Sequence, residues 1–261
     1  MSAIIDAKAI VNPKASLGED VTVGPFSIIE DDVIVGKGTK IGSNVVLARG
    51  TRIGEECKIH HGAVLGTVPQ DLKFHGEETT LEIGNHTTIR EYATLNRGTS
   101  ASGKTSVGSH CFIMAYAHVA HDCMVGNHVI LANSVNMAGH VIIEDYVVIG
   151  GIVPVHQYSR VGRHSMIGGG YRVSKDVPPY ILAGHEPLMF EGLNSVGLRR
   201  RNFSPESIKS IEQAYDILYH KRMNVTQALQ TIKSEMQMTE EVKHIVEFIE
   251  KSKRGIIPAF K

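Results

Sequence analysis

Three things are scarce in this chain: net charge, disulfide-like cysteine patterns and long apolar runs. Its 27 basic and 27 acidic side chains cancel, which excludes a general binder of nucleic acid or of a charged membrane surface and leaves recognition to local charge. No basic-then-apolar leader opens the sequence, and no apolar stretch approaches the roughly 18 residues of a membrane span. A cytoplasmic protein is therefore expected. The three cysteines, Cys57, Cys111 and Cys123, fall at one position of a repeat, among Ala and Val. There a thiol is a small apolar filler rather than a redox or metal group, consistent with a reducing compartment.

What the chain has in abundance is a period of six. Stepping by six from Ile5 gives Val11, Leu17, Val23 and so on without a break to Leu65. The series resumes at Ile83, Ile89 and Leu95, then again from Val107 to Val173, always in the same frame. The fifth position of each hexad is Ala, Val, Thr, Ser or Cys in 24 of 26 cases, Pro69 and Tyr171 being the exceptions. Apolar residues two apart are the inward face of a strand. The position after the aliphatic residue is often Gly (Gly18, Gly36, Gly54, Gly108, Gly126, Gly162), which suits a tight corner. Strand and corner alternating every six residues specify a mainly β fold, a left-handed parallel β-helix with three flat walls and 18 residues per coil.

The repeat pauses at 71–82 and at 101–106, lengths that are both multiples of six, so the downstream frame survives. These segments are expected to be excursions from the wall, where binding residues usually sit. Pro178 and Pro179 close the repeat, because proline cannot donate to a strand ladder. The expected organisation is a β-helix over 1–179, a connecting segment without clear period over 180–203, and an α-helical C-terminal domain over 204–261. In the last, Ser204, Asn224 and Thr239 stand as helix caps before apolar residues at helical spacing.

An 18-residue coil also lets columns be read from the sequence. His121 falls under Gly139 and Gly139 under Gln157; Asp122 falls under His140 and His140 under Tyr158. His118 and His156 lie nearby. Most of the 14 histidines, such as His86, His110, His128 and His164, fall at surface positions where any polar residue would serve. The stacked cluster differs, because an imidazole beside a side-chain-free backbone N–H pairs a general base with a donor for a developing oxyanion, the two needs of attack on a carbonyl. A zinc site using His118-x-x-His121-Asp122 is a rival reading of the same residues, and a non-catalytic solenoid that only binds partners is another.

The hexads alone fit a large superfamily of acyltransferases and relatives; several particular runs carry a specific resemblance. Val119-Ala120-His121-Asp122-Cys123, Ala138-Gly139-His140, Val155-His156-Gln157-Tyr158, Gln70-Asp71-Leu72-Lys73, Asp176-Val177-Pro178-Pro179-Tyr180 and Gly197-Leu198-Arg199-Arg200-Arg201 resemble the UDP-N-acetylglucosamine O-acyltransferase family of lipid A synthesis over essentially the whole chain. The resemblance implies a homotrimer with active sites between subunits that moves an (R)-3-hydroxyacyl group from acyl carrier protein to the 3-position of the UDP-sugar, or of its 3-amino analogue, without a cofactor or metal. It implies that His121 is the general base, that Asp122 supports it, and that Gly139 supplies the oxyanion donor. His118, His140, His156 and Gln157 would line the sugar and acyl pocket, with Gln70, Asp71 and Lys73 reaching in from the excursion. Asn194, Arg200 and Arg201 would hold the diphosphate, for which guanidinium is suited. Gly169 and Tyr171 would bound the acyl chain. Val196, Asn96 and Asn202 depart from the family's usual glutamate, histidine and glycine. The related N-acyltransferase of the same pathway carries an added N-terminal uridine-binding domain, for which hexads starting at Ile5 leave no room.

Overall fold

Two-residue strands such as Ile4–Ile5, Ile10–Val11 and Ser16–Leu17 are too short to stand alone, and each is held only by the coil that follows it. In the computed structural model, which describes residues 2–221 and 223–259, they stack into three parallel walls of a left-handed β-helix. The first wall runs from Ile4–Ile5 to Met166–Ile167, the second from Ile10–Val11 to Pro154–Val155, and the third from Ser16–Leu17 to Arg160–Val161.

Register follows the arithmetic of the sequence. Ile5 pairs with Val23, a step of 18. Leu65 pairs with Leu95, a step of 30 that absorbs twelve extra residues; Leu95 pairs with Val119, a step of 24 that absorbs six. The strand boundaries shift the excursions slightly from their expected limits. The wall ends at Thr67 and restarts at Thr80, then ends at Asn96 and restarts at Lys104, so the chain leaves it over 68–79 and 97–103. The reason is that Leu81 and Thr105 are fully buried strand residues whose alternation the aliphatic hexad count passes over. Both excursions leave from the corner between the second and third walls.

The hexad aliphatics and their small partners fill the interior, from Val21 and Val23 through Ile167 and Val173. Each fully buried Val, Leu or Ile among them contributes about 1.5–3 kcal/mol by leaving water. The three cysteine thiols are buried, donating to the carbonyls of Gly84, Gly126 and Ala138. Burial pushes the Cys111 thiol up to about 11 and that of Cys123 to about 12, so these thiols are packing groups, inert as nucleophiles.

At the N-terminal end Ile4, Ile5 and Ile10 are exposed. The other end is covered. After Pro178 and Pro179 the chain adds an antiparallel hairpin, Ile181–Gly184 and Met189–Leu193, to the first wall, and then a short helix α1 (Ser195–Arg200). Regular structure in this connecting segment was not foreseen, since hairpin alternation has no hexad period. Helices α2 (Pro205–His220), α3 (Val225–Glu235) and α4 (Glu240–Glu250) follow. Their caps are the expected ones: Ser204, Asn224 and Thr239 each accept from the third residue onward, Asn224 in a full capping box with Gln227. The helices dock on the last coils through the Tyr215 hydroxyl on the Pro179 carbonyl at 2.6 Å and the Arg160 guanidinium 4.3 Å over Phe248. This cap is what buries His164, expected at the surface: it is 8 % exposed, stacked between Tyr146 and Tyr180 with Phe203 edge-on.

Candidate active site

On three successive coils the corner between the second and third walls turns through a residue in the left-handed region, Asp122 (φ 59°), His140 (φ 61°) and Tyr158 (φ 63°). Strand register places His121 level with Gly139, because Val119 pairs with Met137. The contact is intimate. A Cβ added to Gly139 would lie 2.6 Å from Cε1 and 2.8 Å from Nε2 of the His121 ring, so the glycine is required for the imidazole to lie where it does.

His121 is nearly buried, and its Nδ1 is 2.7 Å from the Asp122 Oδ2. Asp122 is held from several sides. Its Oδ1 accepts from the Thr99 backbone N–H at 3.0 Å and from the Ser102 hydroxyl, and its Oδ2 from the Thr99 hydroxyl at 2.7 Å. Its own N–H donates to Thr105 Oγ1 at 2.8 Å. Burial by itself would raise the carboxyl pKa, but the donors from Ser102, His121 and Thr99 outweigh it and hold it at about 2. A carboxylate that stays ionised accepts from His121 Nδ1–H, fixing the tautomer in which Nε2 is the free base.

His140 lies at right angles to His121, with ring centroids 5.2 Å apart, and stacks on Tyr158 at 4.6 Å. His118 lies on the outer face of the second wall, its Nδ1 2.7 Å from the Thr94 hydroxyl. Burial, with the nearby His121, pulls its pKa down, so it is disposed to be neutral.

These groups face a cleft of about 1240 Å³. Of the residues singled out from sequence, Gln70, Asp71, Lys73, His118, His121, Gly139, His140 and Gln157 line it together. Asp122 supports the wall from behind, inside hydrogen-bond distance of His121. His156 is exposed beside the cleft and turns its Nδ1 to the Gln157 carbonyl at 3.0 Å.

Asn194, Arg200 and Arg201 lie elsewhere, around α1. Asn194 is buried: its Oδ1 caps the helix by accepting from Gly197 N–H, and its Nδ2 donates to the His164 carbonyl at 2.9 Å. Arg200 is exposed, and Arg201 packs its guanidinium 5.0 Å over the Tyr146 ring. Gly169 is exposed, and Tyr171, expected to point inward, is half-buried with its ring folded over Gly168.

The sequence reading missed Thr99 and Ser102. The column count breaks at an excursion, so nothing in the period shows that these hydroxyls return to Asp122; the available signal was that the excursion leaves from the same corner.

His121, Asp122 and His140 each offer a ligating atom, all within 4.8 Å of one another. As a cation site the trio is poorly disposed. His118 of the zinc reading is not among the three, and both Asp122 oxygens already accept hydrogen bonds, which a metal would have to displace. The donor set fits a hydrogen-bonded base better than a metal centre.

Residues 176–257 match the family model described as Udp N-acetylglucosamine O-acyltransferase, domain 2, and residues 32–67 and 104–139 match the bacterial transferase hexapeptide model. The chain is 55 % identical over 245 residues to a protein of Chlorobaculum tepidum, covering 94 % of this chain and 93 % of that one. It is 44 % identical over 254 residues to one of Halorhodospira halophila, covering 97 % and 98 %. Both relatives are named as UDP-N-acetylglucosamine O-acyltransferases that use acyl-acyl-carrier-protein. The crystal structure of the UDP-N-acetylglucosamine acyltransferase of Bacteroides fragilis superimposes with a TM-score of 0.96 at 47 % identity, over 97 % of this chain and all of that one.

Proposed function

The chain belongs to the UDP-N-acetylglucosamine O-acyltransferase family, and we propose that it moves an (R)-3-hydroxyacyl group from acyl carrier protein to the 3-hydroxyl of UDP-N-acetylglucosamine, the first step of lipid A synthesis. The observation that carries this reading is the contact between the His121 ring and Gly139 in the cleft, backed by the Asp122 carboxylate.

In this mechanism His121 Nε2 takes the proton from the sugar hydroxyl as the oxygen attacks the thioester carbonyl. Asp122 keeps the proton on Nδ1 and stabilises the imidazolium that forms. The backbone N–H of Gly139 donates to the oxyanion of the tetrahedral intermediate, which collapses by expelling the carrier thiolate; the proton held by His121 returns to that sulfur. His118, His140 and Gln157 bound the sugar and acyl pocket with Gln70, Asp71 and Lys73 from the excursion, and His156 joins them from its edge. Arg200, at the end of the helix that Asn194 caps, and Arg201, just beyond it, hold the diphosphate when a neighbouring subunit brings them to the cleft, and Gly169 and Tyr171 bound the acyl tail.

The working unit is a homotrimer with sites between subunits. Supporting this, the corner between the first and second walls exposes Phe26, the stacked pair Tyr92 and Tyr116, and Ile152, and Leu72 stands fully exposed in the excursion beside the cleft. The reaction is cytoplasmic in this reading; among the described residues no helix is long and apolar enough to cross a membrane.

The test is a matrix of hydroxyacyl carrier proteins of graded length against UDP-N-acetylglucosamine and its 3-amino analogue. Transfer to the hydroxyl acceptor is expected, with equilibrium binding of the UDP-sugar strongly weakened in Arg200→Ala. Exclusive use of the amine would reassign the acceptor, and no transfer to either would overturn the reading.

A further inference from the structure

The second excursion, 97–103, joins the second wall to the third between Asn96 and Lys104. Six residues longer than the bare repeat demands, it folds back so that Thr99 and Ser102 meet one carboxylate. Thr99 grips Asp122 twice, by its N–H on Oδ1 at 3.0 Å and its hydroxyl on Oδ2 at 2.7 Å. The Ser102 hydroxyl is within reach of Asp122 Oδ1 and of the Lys104 carbonyl. Its one proton goes to the carboxylate, the stronger acceptor.

The loop is itself tied down. Ala101 N–H donates to Thr99 Oγ1 at 3.2 Å, Gly103 N–H to the Thr99 carbonyl at 2.8 Å, and Thr79 at the end of the first excursion donates its hydroxyl to the Gly98 carbonyl at 2.6 Å. Ser100 and Ala101, between the two gripping residues, line the cleft.

Resting on the acyl-transfer reading, we propose that Thr99 and Ser102 are positioning residues for the base: they aim the Asp122 carboxylate at His121 Nδ1 and share its charge, so that the basicity of His121 is set from the second excursion.

Two consequences follow from that geometry. A carboxylate that keeps all its charge for the imidazole stabilises the imidazolium more, so removing the hydroxyls should make His121 hold a proton to higher pH. A carboxylate free to rotate should also let the ring swing from its place against Gly139. The other titratable groups around the pair are His118 on the same coil, His140 and Tyr158 on the coils that follow, Cys123 next to Asp122, and Asp71, Lys73, Glu77 and Tyr116 in the lining of the cleft. All of these remain in the variants, so a shift is assignable to the lost donors.

The experiment compares the full chain with Ser102→Ala and with Thr99→Val/Ser102→Ala. It reads the acid limb of kcat/KM against pH and the His121 titration midpoint from its Cε1–H resonance. Ser102 is exposed, so alanine there keeps the fold, which a thermal melt verifies. The expected result is a midpoint and acid limb moved together to higher pH, by about half a unit in the single variant and about one in the double, with turnover reduced about tenfold to a hundredfold in the double. Thr99→Ser, which keeps the hydroxyl, is expected to hold the parent midpoint. A midpoint in the double variant equal to the parent's overturns the proposal, as does lost turnover with both pH readouts unmoved. Failure of the acyl-transfer reading would show separately, as absence of transfer by the unmodified chain, and the His121 titration would still decide the positioning role.

Discussion

At the corner between the third and first walls, His86, His110, His128, Tyr146, His164 and Tyr180 stack ring on ring at 4.6–5.7 Å. At the corner between the second and third walls the column is Asp122, His140, Tyr158, with His121 and Gly139 beside it. In these columns both corners turn through a residue with φ near 60°, so the local backbone treats them alike. They part where the second corner gains a carboxylate for its imidazole, a glycine that lets the ring lie close against backbone, and two excursions beside a cleft. The ring ladder has histidines in greater number but none of these. Histidine content is thus a poor guide to chemistry here; a partner, a gap and a roof are what convert a packing column into a site.

The comparison is tested most severely at the glycine. Gly139→Ala puts a methyl 2.6 Å from His121 Cε1, so the ring must move, and with it the geometry of the proposed base and oxyanion donor. Turnover is expected to fall about a hundredfold to a thousandfold in steady-state assays, with melting behaviour little changed. A near-parental rate would show that the ring's place against the backbone is incidental.

At the ring ladder the expected effects are on stability. Burial, helped by the nearby Arg201 and Arg163, pulls the His164 pKa down to about 4, below the ordinary 6.5 of an unfolded histidine. Between those values the unfolded chain binds the proton more tightly than the folded one, so stability falls as pH drops from about 6.5 to 4. His164→Phe keeps a ring in the stack without a proton site and should remove about 2–3 kcal/mol of that acid loss, measured by denaturant unfolding at pH 7 and pH 4.5. An unchanged difference between the two pH values would refute burial as the cause.

The smallest effect belongs to the ladder's exposed part. His110→Ala loses ring contacts to His86 and His128 and should cost about 0.5–1 kcal/mol in unfolding experiments, with turnover within about twofold of the parent.

The walls and their register were legible because the hexad period is geometric: a fixed step in sequence is a fixed step in space, even across insertions of twelve and six. The same rule places His121 at Gly139 and Asp122 at His140. The caps Ser204, Asn224 and Thr239 were readable for a different reason, being local chemistry. What could not be read lies where the chain leaves the period. The return of Thr99 and Ser102 to Asp122 is a long-range contact from a loop, the hairpin over 181–193 obeys another alternation, and His164 is buried by a helical cap far along the sequence. Tyr171 broke the inward pattern, and the structure folds its ring over Gly168 instead.

The most direct test of the central claim, that chemistry resides in the Asp122–His140 corner and not in the ring ladder, is the turnover of His121→Ala measured beside that of His110→Ala. The account predicts a loss of about a hundredfold to ten-thousandfold for the first, with the protein still folded, and almost none for the second. Comparable rates for the two variants would contradict it.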